Sequence, residues 1–201
     1  MIRNEREYRN LGALEVLNDV VEGYASTFDE YELLRDGDVT LYERIEKEAF
    51  DDADMSDVIF LRDHEGRVLA RTKNDSLALE TDDHGLHIRA NLGLTGASRE
   101  MLEDIRAGLY TQMSFAFTVA EDRIDWESDQ KAVRVITRLK KLFDVSAVAF
   151  PANPYTDIGI DARDAFHGEM ERRQAERLEA ERRERERKVL LTRIKIMRKE
   201  I

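Results

Sequence analysis

Apolar and polar residues alternate along most of the chain before Pro151, the period-two pattern of strands with one face in a core and one in solvent. Val58-Ile59-Phe60-Leu61 predicts a short strand running toward His64. After Thr81-Asp82-Asp83-His84-Gly85, a turn by composition, Leu86, Ile88, Ala90 and Leu92 share one face of another strand and His87, Arg89 and Asn91 the other. Phe115, Phe117 and Val119 alternate with Ser114, Ala116 and Thr118, and Val133, Val135 and Thr137 alternate with Arg134, Ile136 and Arg138. Between these two, Asp125-Trp126-Glu127-Ser128-Asp129 predicts a hairpin connection. Leu142 to Phe150 is apolar on both faces, with Asp144 and Ser146 set among Leu142, Val148 and Phe150, which predicts a central strand.

Elsewhere the apolar period lengthens to about 3.6 residues. From Ser98, a candidate N-cap, Met101, Leu102, Ile105 and Leu109 form a stripe that ends near Gly108, the pattern of a helix and its terminator. Leu41, Ile45 and Ala49 make a weaker stripe ahead of Phe50. Many strands, few helices and sparse parallel signals predict a mainly β, α+β fold, a closed or nearly closed antiparallel β barrel with flanking helices. From Ala162 onward Glu and Arg occupy almost every position, with no glycine after Gly168 and no proline after Pro154, which predicts a charged C-terminal helix rich in i,i+4 ion pairs. Its apolar seam is confined to Leu190, Ile194, Met197 and Ile201, the spacing of a helix that packs on a partner. The expected organisation is an N-terminal segment 1–19, a β domain 20–161 and a helical tail 162–201.

A chain of 201 residues with 42% hydrophobic composition suffices for one core and an appendage. Its net charge of −11 is unevenly spread, −15 before Ala162 and +4 from there on. The acidic body lacks the cations that displace counterions from duplex nucleic acid, so nucleic acid is not an expected partner. The basic tail can attract another copy of the chain or a charged partner surface. Without cysteine there is no disulfide, thiolate metal site or cysteine nucleophile to consider. No run approaches the roughly 18 apolar residues of a membrane helix, and Met1 to Asn10 is charged rather than signal-like, so no membrane association and a cytosolic setting are expected.

A serine hydroxyl is a useful nucleophile at neutral pH only with a base in hydrogen-bond reach and a third group holding that base. Of the four histidines, His84 lies in a polar turn and His167 at the start of the tail, whereas His64 follows an apolar run and stands between Asp63 and Glu65. Ser114 lies in a strand, where hydroxyls commonly bond to backbone, and His64 also suits an ordinary strand end. Asp144 in an apolar strand requires a partner, for which Arg138 is one candidate. His84-Gly85-Leu86-His87 suggests a metal site, but the glycine turn breaks the register and no cysteine or carboxylate cluster completes it, so neither metal nor cofactor is expected. Gln112 and Ala116 stand where a nucleophile elbow places glycines, which weighs against a general esterase.

Asp63-His64-Glu65, Met113-Ser114-Phe115-Ala116-Phe117, Asp144-Val145-Ser146 and Pro151-Ala152-Asn153-Pro154 follow one another in an order that resembles the caudoviral prohead proteases, serine peptidases related in fold to the herpesvirus assemblins. Glu5-Arg6-Glu7-Tyr8-Arg9, Glu22-Gly23-Tyr24-Ala25-Ser26-Thr27-Phe28, Glu43-Arg44-Ile45 with Ala49-Phe50, Gly85-Leu86 and Arg106-Ala107-Gly108 add to the resemblance, which spans nearly all of the body and none of the tail. The resemblance implies a barrel of assemblin type and a serine endopeptidase with Ser114 as nucleophile and His64 as general base. The orienting acid is assigned to Asp144, with Asp63 or Glu65 as substitutes. It also implies that the substrates are the scaffold segment of the major capsid protein and the protease itself, inside the immature capsid in the cytoplasm of a bacterium carrying the phage or prophage. A homodimer and a tail that binds scaffold are further expectations. The alternative is a noncatalytic assembly or scaffold protein on the same barrel, distinguished by whether the Ser114 hydroxyl and a His64 nitrogen come within about 3 Å.

Overall fold

The computed structural model describes residues 6–149 and 160–197. Among them run ten strands: β1 (Glu7–Leu17), β2 (Val20–Thr27), β3 (Tyr31–Asp36), β4 (Val39–Ile45), β5 (Ile59–Arg62), β6 (Glu65–Arg71), β7 (Leu77–Thr81), β8 (Gly85–Asn91), β9 (Gln112–Trp126) and β10 (Lys131–Val148). Two α-helices, α1 (Gly96–Arg106) and α2 (Ile160–Met197), complete the set. The chain divides into two compact units, Met1–Gly159 and Ile160–Ile201.

In the first unit β10 is the spine. The two strands expected around Val133 and around Leu142 are one strand, with irregularities between Ile136 and Asp144 that absorb the charged stretch Arg138 to Lys141. One edge of β10 pairs antiparallel with β9 from Ala132↔Trp126 to Val148↔Gln112. Its other edge is shared, parallel in both cases, by β4 along Lys131 to Ile136 and by β5 along Asp144 to Ala147. Covered on both edges, β10 is central, as its doubly apolar pattern predicts.

The pairing path runs β3-β4-β10-β9-β1-β2-β8-β7, with β5 and β6 branching from β10. Among the described residues no pairing joins β3 to β7, so the sheet is mixed and is not hydrogen-bonded into the closed antiparallel barrel that alternation suggested. The fold is mainly β with two α-helices. The stripe Leu41, Ile45, Ala49 is not helical: β4 covers its first part and a single 3-10 turn, Lys47–Phe50, its end. Spacings of four suit a strand as well as a helix when alternate positions of the strand are the buried ones, as Leu41, Glu43 and Ile45 are here.

Phe115 and Phe117 stack at 4.7 Å between ring centres and pack with Val21, Leu86, Ile88 and Val145 in the core. Helix α1 buries Met101, Leu102 and Ile105 against that core. Its N-cap is Thr95, whose Oγ1 accepts from the Ser98 N–H at 3.1 Å, and not Ser98 itself. Ser98 instead donates its hydroxyl to the Leu69 carbonyl of β6 at 2.7 Å and so fixes the helix to that strand. Gly108 follows with φ +75°, the left-handed terminator expected there.

Far along β10 from Asp144, Arg134 is 1% exposed and bridges four neighbouring strands. Its guanidinium donates to Glu7 of β1 at 2.5 and 2.9 Å, to Glu43 of β4 at 2.8 Å and to Asp122 of β9 at 2.7 Å. Tyr31 donates its hydroxyl to Glu43 as well. Burial alone would lower the Arg134 pKa, yet the carboxylates of Glu43, Glu7 and Asp122 hold it well above its usual value.

In the second unit α2 is a single helix about 57 Å long at 1.5 Å per residue. Pairs such as Arg172–Glu176, Glu179–Arg183 and Glu184–Lys188, one turn apart, line it as its composition predicts. Leu178, Val189, Leu190 and Leu191 are exposed. Of the predicted apolar seam, Ile201 and the side chains of Ile194 and Met197 lie outside the described residues, as does Pro151-Ala152-Asn153-Pro154. No helix among the described residues is long and apolar enough to cross a membrane.

Candidate active site

Three elements of the first unit bring polar side chains to one point at the C-terminal end of β10. Ser114 on β9 and Ser146 on β10 face each other directly across the antiparallel ladder. Asp144 lies two positions before Ser146 and therefore on the same face. The third element is the β5–β6 hairpin, held to β10 by the parallel ladder of β5 and turning at Asp63-His64.

That turn is built for position at the expense of backbone comfort. Arg62 pairs with Glu65, leaving a two-residue connection in which Asp63 and His64 have φ of 48° and 61°. Two positive φ values define the type I′ turn that suits strand twist but normally selects Asn-Gly. Asp tolerates the left-handed region, and histidine less so, at a cost on the order of 1 kcal/mol or more. The hairpin is pinned where the cost falls. The Asp63 N–H donates to the Ala147 carbonyl at 3.0 Å, and the Asp63 carboxylate accepts from the Ala149 N–H at 3.2 Å.

The result is a continuous hydrogen-bonded chain. His64 Nε2 lies 2.7 Å from Ser114 Oγ, and His64 Nδ1 lies 2.5 Å from Asp144 Oδ1. Ser146 donates its hydroxyl to the same Asp144 oxygen at 2.9 Å and sits 3.3 Å from His64 Nδ1. A carboxylate only accepts, so the hydrogen of a neutral imidazole belongs on Nδ1. Nε2 is then left as the acceptor for the Ser114 hydroxyl. Ser114 and Ser146 are fully buried, the Asp144 side chain is 4% exposed and the His64 side chain 16% exposed, so water has little access to the relay. In such surroundings hydrogen bonds gain electrostatic strength and each member needs its partner.

The sequence candidates separate cleanly. His64, Ser114 and Asp144 meet. Asp144 does not pair with Arg138, which bonds to Glu121 instead. Asp63 acts through backbone and does not touch the imidazole of its neighbour, and Glu65 turns away into a groove beside α1. His84 and His87 flank the Tyr24 ring with centroid separations of 4.5 and 5.1 Å. His167 lies on α2, in the other unit. Sequence reasoning gave no role to Ser146, although period two alone places it beside the Asp144 carboxylate. The turn was also missed, although two residues between two strand runs signal a tight hairpin.

Near the hairpin the Asp57 carboxylate is held well below the usual range by hydrogen bonds from Arg71 and then Lys73, which tie the end of β6 to the loop before β5. The Tyr110 hydroxyl has its pKa raised, first by burial and then by the charge of Asp63.

A buried Ser-His-Asp relay on a β scaffold is the arrangement of a serine hydrolase. A family model described as caudovirus prohead serine protease matches residues 7–171, and the chain belongs to that family of serine peptidases. The matched span includes all ten strands, α1 and the three members of the relay. No curated protein and no solved structure matches the chain.

Proposed function

We propose that the protein is a serine endopeptidase of prohead maturation that cuts the scaffold segment from the major capsid protein and also cuts itself. The observation that carries this reading is the Ser114–His64–Asp144 chain with links of 2.7 and 2.5 Å. Ser114 Oγ forms a bond to the scissile carbonyl carbon as its proton passes to His64 Nε2. The imidazolium gives that proton to the leaving amine as the C–N bond breaks. Water, deprotonated by His64, then releases the acyl group and restores the serine. Asp144 keeps the imidazole in the tautomer with Nδ1–H and balances its charge when Nε2 is protonated, and Ser146 holds the carboxylate in place. The β5–β6 hairpin, branching from the edge of β10, carries His64 to the end of the β9–β10 ladder where Ser114 and Asp144 lie.

Family membership supports an encounter with capsid proteins in the prohead, within the host cytoplasm. The family match ends at residue 171, so most of α2 lies beyond it. That long charged helix is suited to co-assembly with scaffold, and self-cleavage is a way to remove it.

Coexpression of the wild type or Ser114→Ala with the major capsid protein of the same phage, followed by intact mass, tests the proposal. Loss of an N-terminal capsid segment with the wild type alone is the expected result. Cleavage with both overturns Ser114 as nucleophile, and cleavage with neither favours the assembly-protein alternative.

A further inference from the structure

Between the hairpin that carries His64 and α1 lies a groove of about 230 Å³ lined by Arg62, Glu65, Gly66, Arg67 and Leu69 on one side and Ala97, Glu100, Met101 and Asp104 on the other. Small-molecule sites usually run to about 300–1,000 Å³, so this space is on the scale of one or two side chains of a peptide. Its floor is apolar, with Leu69 and Met101 9% and 3% exposed. Its rim is charged. Among the described residues no ion pair or side-chain hydrogen bond engages Arg62, Glu65, Arg67, Glu100 or Asp104.

The groove also borders an open edge. Among the described residues β6 pairs only with β5, and Glu65 to Val68 are exposed along its first half. No heavy atom lies within 4 Å of the place a Cβ would take on Gly66. An extended peptide can add to such an edge by backbone hydrogen bonds, with alternate side chains entering pockets. One added there passes the turn that carries His64.

Resting on the serine-endopeptidase reading above, we infer that this groove is the specificity subsite for the substrate and takes a long basic side chain, lysine or arginine, close to the scissile bond. The aliphatic stem lies on Leu69, Ala97 and Met101, as such stems commonly cover apolar surface. The cationic head meets Glu100 and Asp104, which stand one turn apart on the helix on either side of Met101, with Glu65 facing them from the hairpin. Arg62 and Arg67 on the hairpin wall are donors for carbonyl oxygens of the same peptide. Carboxylates outnumber guanidinium groups in the lining, and the net charge of −15 before Ala162 draws a basic segment toward the surface.

The test uses the full chain and a panel of protein substrates identical except for Lys, Arg, Met, Leu or Glu at each position flanking the cleavage site, read as kcat/KM. The wild type should favour Lys or Arg over Met at one such position. In Glu100→Gln/Asp104→Asn the Lys-to-Met ratio should fall on the order of tenfold or more, the scale on which pocket contacts discriminate side chains. Glu100→Lys/Asp104→Lys should move the preference at that position toward Glu. A wild type that cleaves without a basic preference at any position overturns the subsite while leaving the peptidase reading intact, as does a ratio unchanged in both variants. A wild type that neither cleaves nor is labelled at Ser114 by a fluorophosphonate overturns both.

Discussion

Strand β10 carries two buried polar clusters, one around Arg134 and one around Asp144, separated by roughly 30 Å of strand. Both contain nearly inaccessible charge-bearing side chains, both tie several strands together, and both are densely hydrogen-bonded. They differ in what their members can do. Around Arg134 the cation keeps its proton, its carboxylate partners only accept, and nothing can be handed on. Around Asp144 a histidine with two distinguishable nitrogens stands between a carboxylate and a hydroxyl, so a proton has a donor, a carrier and a destination. Under the proposed function, burial and pairing therefore do not mark the chemical site. The presence of a group that changes protonation state and reaches a nucleophile does.

Substitutions that separate catalysis from folding cut this comparison most sharply. Ser114→Ala and His64→Ala should each lower kcat on the order of 10⁶-fold, the loss seen when a serine-protease triad loses its nucleophile or base. Both variants should remain folded by their urea unfolding curves, and a collapse of stability matching the loss of activity would mean that the relay is structural. Asp144→Asn should cost less, about 10⁴-fold, because nucleophile and base remain while the imidazole loses the acceptor that fixes its tautomer.

Arg134→Met addresses the other cluster and should show the reverse pattern. It removes the guanidinium that Glu7, Glu43 and Asp122 share, for which about 3–5 kcal/mol of stability should be lost. Activity per folded molecule should hold. Adding Glu7→Gln and Glu43→Gln should restore part of the deficit at neutral pH. A deficit unchanged by these two substitutions would argue that Arg134 acts through packing alone.

The smallest effect belongs to a half-buried counterpart of these clusters. The Asp82 pKa is lowered to about 2, first by the hydroxyl of Tyr24 and then by the N–H groups of Gly85 and His84. A carboxylate with a depressed folded-state pKa adds stability that is present above its ordinary pKa near 3.8 and is lost as pH falls toward 2. Asp82→Asn should therefore lower neutral stability slightly and flatten the acid limb, the two proteins converging as pH falls toward 2. An acid limb identical to the wild type would show that Asp82 gains nothing from its turn.

Where alternation is strict, the sequence reveals the strand and its buried face, as at Leu86 to Leu92. The helix at Met101 is equally legible, and its cap misses by one candidate because Thr95 and Ser98 are both good caps and tertiary packing claims the Ser98 hydroxyl for Leu69. The continuity of β10 is hidden by Arg138, Lys140 and Lys141, which read as a break but lie on irregularities in an unbroken ladder. Open edges at β3 and β7 are invisible to periodicity, which reports faces and not neighbours. His64, Ser114 and Asp144 are legible as candidates from residue type and order. Their meeting is not, because it depends on parallel pairing of β5 with β10 and on two left-handed residues in one turn.

That turn has a consequence for how the chain can change over time. A two-residue connection between Arg62 and Glu65 works as a ruler: one residue more or fewer converts it to another loop class and rotates the histidine away from β9. Point substitutions there are graded in their effect, but length changes are all-or-none. Descendants that retain this chemistry should thus accumulate insertions in other loops, such as the one after Trp126, and none between Arg62 and Glu65. A tolerated single-glycine insertion at that place would mean that the ruler is not being read.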